Sequence, residues 1–241
     1  MKKIGIISQA RMTSTRLPGK VLMTVNDIPL LKYHSDRVRQ SGYPFFIATT
    51  VNATDDPIVA FAEKEGIPYF RGDEMNVLSR YYGCAKEHNL DIVVRVTSDC
   101  PLIDGFLIKK ILDEELYDFT EKTYLSNGLE KSYPLGLSFE VVSFPYLEEA
   151  YQNATLALDL EHVTPYINRN RSGETVYKHF KHYEDKSKYR ITVDTPDDFT
   201  LIKVLIEDFQ ADKLSYQEII EVMDANPELE KINAHIEQKK E

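Results

Sequence analysis

The chain has 241 residues, of which 42% are hydrophobic and 28% are charged, and its formal net charge is −10. This composition is typical of a globular protein with one large domain, and the acidic balance argues against a general nucleic-acid binder. Two cysteines exclude a disulfide framework and a four-cysteine zinc site. The first apolar run ends at Arg11 without a cleavage-like site, and no stretch approaches the roughly 20 apolar residues that cross a bilayer, so we predict a cytoplasmic protein with no membrane partner.

Strands and helices alternate through the first half of the chain. Short apolar runs predict buried strands, and the amphipathic stretches that follow them predict helices. The predicted strands are 3–8, 45–50, 68–70 and 91–96, and the predicted helices are 29–41, 56–65, 76–88 and 105–116. This alternation is typical of right-handed βαβ units on a parallel sheet that helices cover on both faces.

The second half of the chain has a less regular pattern. Predicted strands at 137–143, 175–180 and 189–193 are interrupted by predicted helices near 145–153 and 159–168. Further helices are predicted at 197–207, 216–223 and 228–239. We therefore predict an α/β fold with a mostly parallel central sheet flanked by helices and a small mixed sub-lobe, all within one domain spanning 1–241.

A basic loop follows the first predicted strand. It reads S-Q-A-R-M-T-S-T-R-L-P-G-K over residues 8–20 and places Arg11, Arg16 and Lys20 close together in an acidic chain. Ligands of open parallel sheets bind beyond the carboxyl ends of the strands, where these cations would suit a polyphosphate. The loop is neither a Walker A motif nor a dinucleotide-binding motif. The alternative is a solvated loop whose arginines pair with surface carboxylates.

Two aspartates follow predicted strands far apart in the sequence. Asp99 comes after the strand at 91–96, and Asp194 after the one at 189–193. Mg²⁺ takes one or two carboxylates and fills its remaining positions with water and phosphate oxygens, so the pair facing the basic loop would suit magnesium and phosphate. Asp194 has an alternative interpretation as a turn or cap residue, and Asp197 and Asp198 fit the positive end of the following helix.

Three motifs together resemble the sugar-activating cytidylyltransferases. They are Q-A-R-M-T-S-T-R-L-P-G-K-V-L at 9–22, V-T-S-D-C-P-L-I at 96–103 and V-D-T-P-D-D-F at 193–199. The chain is similar to the spore-coat-polysaccharide branch, which is related to CMP-3-deoxy-manno-octulosonate synthetase and acylneuraminate cytidylyltransferase. The resemblance implies a glycosyltransferase-A-like nucleotidyltransferase fold, Mg²⁺, transfer of CMP from CTP to a sugar acid for surface polysaccharide or glycan biosynthesis, and a homodimer.

The resemblance also implies roles for individual residues. It implies a nucleotide-binding half at about 1–120 and a sugar-binding and dimerisation half at about 121–241. The implied catalytic residues are Arg11, Lys20, Asp99 and Asp194, of which Asp99 and Asp194 would bind the metal. The implied nucleotide-binding residues are Gln9, Ala10, Arg11, Ser14, Arg16, Lys20 and Arg80. The implied substrate-binding residues are Glu140, Glu161 and His162.

One departure from the pattern concerns the acceptor. Octulosonate-specific relatives carry Q-G-D-E-P where this chain has T-S-D-C-P at 97–101, so the metal-binding Asp carries over and the identity of the sugar does not. Two alternatives stay open beside the cytidylyltransferase. One is a UTP-dependent sugar-phosphate nucleotidyltransferase or a glycosyltransferase of the same fold. The other is a non-catalytic nucleotide-binding subunit.

Overall fold

A seven-stranded sheet runs through the computed structural model, which describes residues 2–237. The strands are β1 (Ile4–Gln9), β2 (Thr24–Val25), β3 (Ile28–Pro29), β4 (Phe45–Thr50), β5 (Tyr69–Gly72), β6 (Ile92–Thr97), β7 (Thr123–Ser126), β8 (Glu140–Ser143) and β9 (Val176–His179). The sheet has the order β5-β4-β1-β6-β8-β7-β9, while β2 and β3 form a separate hairpin. Only β8 runs antiparallel to its neighbours in the large sheet, which confirms the prediction of a mostly parallel sheet.

Helices cover both faces of this sheet. They are α1 (Leu30–Arg39), α2 (Asp56–Lys64), α3 (Val77–Glu87), α4 (Gly105–Glu115), α5 (Phe144–Asn153), α6 (Ala157–His162), α7 (Pro165–Asn168), α8 (Pro196–Phe209), α9 (Tyr216–Ala225) and α10 (Pro227–Lys231). Successive residues of β1 point to opposite faces, so Ile6 belongs to the core that α1, α2, α4, α8 and α9 share, whereas Ile7 belongs to the core of α3, α5 and α7. In the part of the chain that the structure describes, no helix is both long and apolar enough to cross a membrane.

The elements predicted in the first half are confirmed, with ends that differ by at most two residues. Their boundaries have local causes that the sequence displays. The side chain of Asn76 accepts a hydrogen bond from the Ser79 amide at the start of α3, and Asp104 caps α4 in the same way through Leu107. Buried strands and capped helices therefore alternate in the first half, and the sequence indicates where each of them begins and ends.

The second half differs from the prediction in four places. The strand predicted at 189–193 is wrong: this segment is extended around Arg190, but among residues 2–237 it makes only one isolated bridge, between Arg190 and Leu135. The strand β7 was not predicted, and β7 to β9 continue the central sheet. The helix predicted at 159–168 is divided at Val163, whose φ of 72° interrupts the helical backbone. The tail helix ends at Lys231, and residues 238 and 239 of that prediction lie outside the described residues.

Gly136 holds the loop between β7 and β8 against the extended segment 189–193. Its φ is +113°, and a Cβ atom at this position would lie 2.7 Å from the Ile191 carbonyl oxygen. Hydrogen bonds from the Leu135 amide to the Tyr189 carbonyl (2.9 Å) and from the Ile191 amide to the Leu135 carbonyl (2.8 Å) fix the same contact. This contact positions the chain immediately before Asp194.

Substitution of Gly136 by Ala is expected to lower the free energy of unfolding by about 2 kcal/mol or more. The positive φ is strained for alanine, and the added Cβ atom would clash with the Ile191 carbonyl oxygen. Urea unfolding measures the change. Gly173→Ala is the matched control, because Gly173 has a φ of +80° but no atom within 4 Å of an added Cβ. An equal loss in both variants would contradict the close approach at Gly136.

Candidate functional site

An open cleft of about 1150 Å³ lies at the carboxyl ends of β1 and β6. It extends across β8 toward α6, and it brings together every residue that the sequence assigned to a site. Those lining residues are Gln9, Ala10, Arg11, Ser14, Arg16, Lys20, Arg80, Asp99, Glu140, Glu161, His162 and Asp194. The basic loop and both aspartates therefore share one cleft, as the parallel topology predicts.

Lys20 lies where the two aspartates converge. Its Nζ atom donates to Asp99 Oδ2 at 3.0 Å and to Asp194 Oδ1 at 2.8 Å. It also donates to the Val193 carbonyl oxygen at 2.8 Å. The two carboxylates are thus close enough to hold one cation between them, although 95 residues separate them in the sequence.

Charge pairing stabilises the ionised forms of Lys20 and Asp99. Burial alone would raise the pKa of Asp99, but the Lys20 charge and hydrogen bonds from Thr97 and Lys20 lower it to about 2. Burial opposes the charged form of Lys20, whereas Asp99 and Asp194 together raise its pKa above the ordinary value. At neutral pH Lys20 is therefore an ammonium ion and Asp99 is a carboxylate.

Backbone contacts join the loops that carry the two aspartates. The Asp99 carbonyl oxygen accepts hydrogen bonds from the Val193 amide at 2.8 Å and from Thr192 Oγ1 at 3.1 Å. Asp194 is therefore positioned by pairing with the Asp99 loop and not by a strand of its own. This pairing explains why the aspartates meet even though the predicted strand at 189–193 is absent.

Asp198 is buried beneath Asp194 and accepts five hydrogen bonds. Its donors are Arg190 Nε (2.7 Å), Arg190 Nη2 (2.9 Å), the Asp194 amide (3.0 Å), the Thr195 amide (3.0 Å) and Asn233 Nδ2 (2.8 Å). Arg190 Nη2 also donates to Asp194 Oδ2 at 3.0 Å. The predicted role of Asp198 in the first turn of α8 is confirmed, because it forms a capping box with Thr195. It additionally fixes both the backbone and the carboxylate of Asp194.

The basic loop is anchored at several points. The Met12 amide donates to Asp55 Oδ1 at 2.8 Å, and Glu74 contacts both Thr13 and Arg11. The left-handed Gly19 (φ +71°) turns the chain so that Lys20 enters the cleft. Arg11 does pair with a surface carboxylate, as the alternative interpretation expected. The contacts with Asp55 and Glu74 nevertheless hold the basic loop at the edge of the cleft.

Arg80 is almost completely buried on α3, with 1% of its surface exposed, yet it lines the cleft. Its Nε and Nη1 atoms have no hydrogen-bond partner within residues 2–237. Burial lowers the pKa of this guanidinium, and the positive charge of Arg11 acts in the same direction. A buried guanidinium with unused donors is costly by itself and is suited to binding an anion.

The far part of the cleft is organised around Glu140. Its carboxylate contacts Arg95 and Tyr124, and it accepts a hydrogen bond from Thr164 Oγ1 at 2.6 Å. Arg95 and Tyr124 were not predicted to be site residues, although both line the cleft. A lone arginine inside the apolar strand I-V-V-R-V-T was the available signal for Arg95. Tyr124 gave no signal because β7 itself was missed.

The pairing of Arg95 with Glu140 predicts a measurable coupling. We expect Arg95→Met to lower the free energy of unfolding by about 3 kcal/mol, because it leaves a half-buried carboxylate without its cation. The double variant Arg95→Met/Glu140→Gln should recover about 2 kcal/mol of that loss, measured by urea unfolding. Strictly additive effects of the two substitutions would contradict the pairing.

Cys100, beside Asp99, has the surroundings of a packing residue. It is 6% exposed, and burial in the first place and the Asp99 charge in the second raise the pKa of its thiol. The buried His34 supports this loop by a 2.9 Å hydrogen bond between its Nδ1 atom and the Cys100 carbonyl oxygen. Burial lowers the pKa of His34 to about 4, so the ring is neutral and Nδ1 is the donor. A thiolate nucleophile is not favoured here.

The donor set fits the magnesium ion that the family resemblance implies. Within residues 2–237 no group of three or more His, Cys, Asp or Glu side chains is arranged around a common metal position. Asp99 and Asp194 nevertheless converge on one cationic group, and the Val193 carbonyl oxygen faces the same point. Two carboxylates suffice for Mg²⁺ when phosphate oxygens and water complete its octahedron.

Sequence relatives span nearly the whole chain. An uncharacterized protein of Methanocaldococcus jannaschii is 37% identical over 242 residues, covering 99% of this chain and 97% of the relative. The spore coat polysaccharide biosynthesis protein SpsF of Bacillus subtilis is 33% identical over 248 residues, covering 95% and 97%.

Solved structures share the fold. A cytidylyltransferase from Leptospira borgpetersenii superimposes with a TM-score of 0.90 at 33% identity and covers 100% of both chains. CMP:2-keto-3-deoxy-manno-octonic acid synthetase, solved with CTP, has a TM-score of 0.63 at 16% identity, covering 86% and 99%. Rv0371c of Mycobacterium tuberculosis, solved with manganese, has a TM-score of 0.57 at 16% identity, covering 83% and 97%. Residues 4–236 match the model of the cytidylyltransferase family, and the chain belongs to this family of nucleotidyltransferases.

Proposed function

We propose that the protein transfers CMP from CTP to the hydroxyl group of a sugar acid and releases pyrophosphate. The observation that carries this proposal is the convergence of Lys20, Asp99 and Asp194 in the cleft, beside Arg11 and Arg16. In a chain of net charge −10, such a local concentration of cations suits a triphosphate. Family membership supports a cytidine nucleotide, and the relationship to SpsF supports a role in polysaccharide biosynthesis.

The reaction is an in-line displacement at the α-phosphorus. The acceptor oxygen forms the new bond to phosphorus, the bond from phosphorus to the α,β-bridging oxygen breaks, and the hydroxyl proton leaves to solvent. Arg11, Arg16 and Lys20 would hold the triphosphate and stabilise the charge that develops on pyrophosphate. Arg80 would bind another anionic or polar part of the nucleotide.

Asp99 and Asp194 are the residues that would hold Mg²⁺ in this proposal. When bound, Mg²⁺ supplies charge neutralisation at the phosphate oxygens and a lower pKa for the attacking hydroxyl. Asp198 and Arg190 keep Asp194 in position for this purpose. Glu140, Glu161 and His162 would contact the acceptor in the far part of the cleft.

Three further parts of the proposal concern the setting of the enzyme. We propose a homodimer because the related cytidylyltransferases that the sequence resembles usually form one. We propose a cytoplasmic location because both cysteines, Cys84 and Cys100, are free and buried. One domain carries both substrates, since one cleft includes residues of both halves.

A screen of pyrophosphate release tests the proposal. Four nucleoside triphosphates are combined with a panel of acidic and neutral sugars in the presence of Mg²⁺, and we expect release with CTP and an acidic sugar. Release with UTP and a sugar phosphate would instead favour the alternative nucleotidyltransferase. A protein that binds CTP but releases no pyrophosphate with any acceptor would favour a non-catalytic subunit, and transfer from a finished nucleotide sugar would favour a glycosyltransferase.

A further inference from the structure

Lys20 uses all of its hydrogen-bonding capacity within the acidic cluster. An ammonium group has three N–H donors, and those of Lys20 reach Asp99, Asp194 and the Val193 carbonyl oxygen at 3.0, 2.8 and 2.8 Å. The side chain is only 11% exposed. Lys20 therefore occupies the point to which both carboxylates turn.

The two aspartates differ in how much they depend on this ammonium group. Asp194 also pairs with Arg16 and Arg190, each at 3.0 Å. In the described part of the chain, Lys20 is the ion-pair partner found for Asp99. Removal of Lys20 from the cluster would leave Asp99, whose side chain is 26% exposed, as a partly buried carboxylate without its counter-ion, which is unfavourable unless another cation replaces it.

We propose that Lys20 is the exchangeable counter-cation of this site, so that Lys20 and a divalent metal ion bind Asp99 and Asp194 in mutually exclusive ways. This inference rests on the proposed function. A triphosphate offers Lys20 other anionic oxygens, and the flexible four-carbon stem of lysine can turn the ammonium group toward them. Nucleotide binding thereby exposes the two carboxylates to the metal ion. Metal and nucleotide then bind cooperatively, and the metal ion alone binds weakly.

Binding of Mn²⁺ to the full-length protein, followed by the electron paramagnetic resonance signal of the free ion, tests this exchange without any turnover. We expect Lys20→Met to bind Mn²⁺ roughly 10-fold more tightly than the wild type in the absence of nucleotide, because the competing cation is gone. CTP should then increase Mn²⁺ affinity much more in the wild type than in Lys20→Met. Mn²⁺ bound by CTP alone is measured separately and subtracted.

Arg16→Met is the matched control, because it also removes a positive charge from Asp194 but does not vacate the point shared with Asp99. It should change Mn²⁺ affinity by no more than about threefold. The double variant Lys20→Met/Asp99→Asn should lose the tighter Mn²⁺ binding of Lys20→Met. Thermal unfolding of each variant verifies that it is folded. If Lys20→Met binds Mn²⁺ no more tightly than the wild type or Arg16→Met, the exchange is wrong. Failure of the pyrophosphate screen together with tight Mn²⁺ binding by Lys20→Met would instead overturn the proposed reaction alone.

Discussion

Replacing Asp99 by Asn is expected to lower kcat for pyrophosphate release from CTP by about 10²–10³-fold. The substitution keeps the size of the side chain and the oxygen that accepts from Lys20, but it removes the negative charge that a divalent ion requires. Asp99 lies in the centre of the cluster, and its lowered pKa of about 2 means that it is a carboxylate at any pH where the enzyme would work. Initial rates at saturating CTP, measured over a range of Mg²⁺ concentrations, give the result.

Asp197→Asn is the matched control for this experiment. Asp197 is a neighbouring aspartate on α8 that pairs at the surface with His235 at 3.1 Å, and it does not line the cleft. We expect its kcat to stay within about twofold of the wild type, because Asp197 lies outside the cleft and its contact with His235 is exposed. Wild-type turnover by Asp99→Asn, with an unchanged requirement for Mg²⁺, would exclude Asp99 as a metal ligand.

The first half of the fold could be predicted because each element carries its own periodic signal and its own end signals. Strands buried on both faces read as apolar runs, such as V-V-R-V in β6, and Asn76 and Asp104 cap the helices α3 and α4. Once the strands are parallel, their carboxyl ends share one edge of the sheet. The meeting of the basic loop with Asp99 then follows from topology.

The second half could not be predicted to the same extent, because its geometry depends on contacts between distant residues. The segment 189–193 is apolar enough for a strand, but it pairs with Leu135 and with the Asp99 carbonyl oxygen instead of a full neighbouring strand. β7 has only four residues, T-Y-L-S, and their side chains are buried on both faces, so no alternation marks them. Its position in the sheet is set by β8 and β9.

The candidate site shows the same division. Residues within the three motifs, such as Lys20 and Asp194, could be predicted from the sequence, because the residues of each motif and the order of the motifs along the chain resemble the cytidylyltransferases. Arg95 and Arg190 lie close to those motifs in the sequence but were not predicted to be site residues. Their importance comes from the carboxylates that they meet, Glu140 and Asp198, which are 45 and 8 residues away. Such pairings become visible only in the folded chain.

Asp198→Asn is expected to reduce both stability and catalysis, although Asp198 is buried below the cleft. An amide cannot accept from all five donors that meet this carboxylate, and it leaves Arg190 partly unpaired, so we expect a loss of about 3 kcal/mol in the free energy of unfolding. Because Asp194 would lose its backbone anchor, kcat should fall by roughly 10-fold or more in the folded variant. Urea unfolding and pyrophosphate release measure the two effects.

Two further measurements separate the loss of stability in Asp198→Asn from its loss of catalysis: the pH dependence of unfolding, and the same substitution at a second buried aspartate. Burial opposes the charged form of Asp198, but Arg190 and Asn233 lower its pKa below the ordinary 3.8, so its stabilising contribution is present above about pH 4 and is lost as the pH falls further. Asp198→Asn should lack that part of the acid-induced loss. Asp159→Asn is the matched control, since Asp159 is 1% exposed and pairs with Arg171 at 3.1 Å away from Asp194. If both variants lose stability and still keep the wild-type kcat at a temperature where they are folded, Asp198 stabilises the fold and has no effect on catalysis. The contacts of Asp198 with Asp194 and Arg190 predict the other result, a loss of kcat in Asp198→Asn and none in Asp159→Asn.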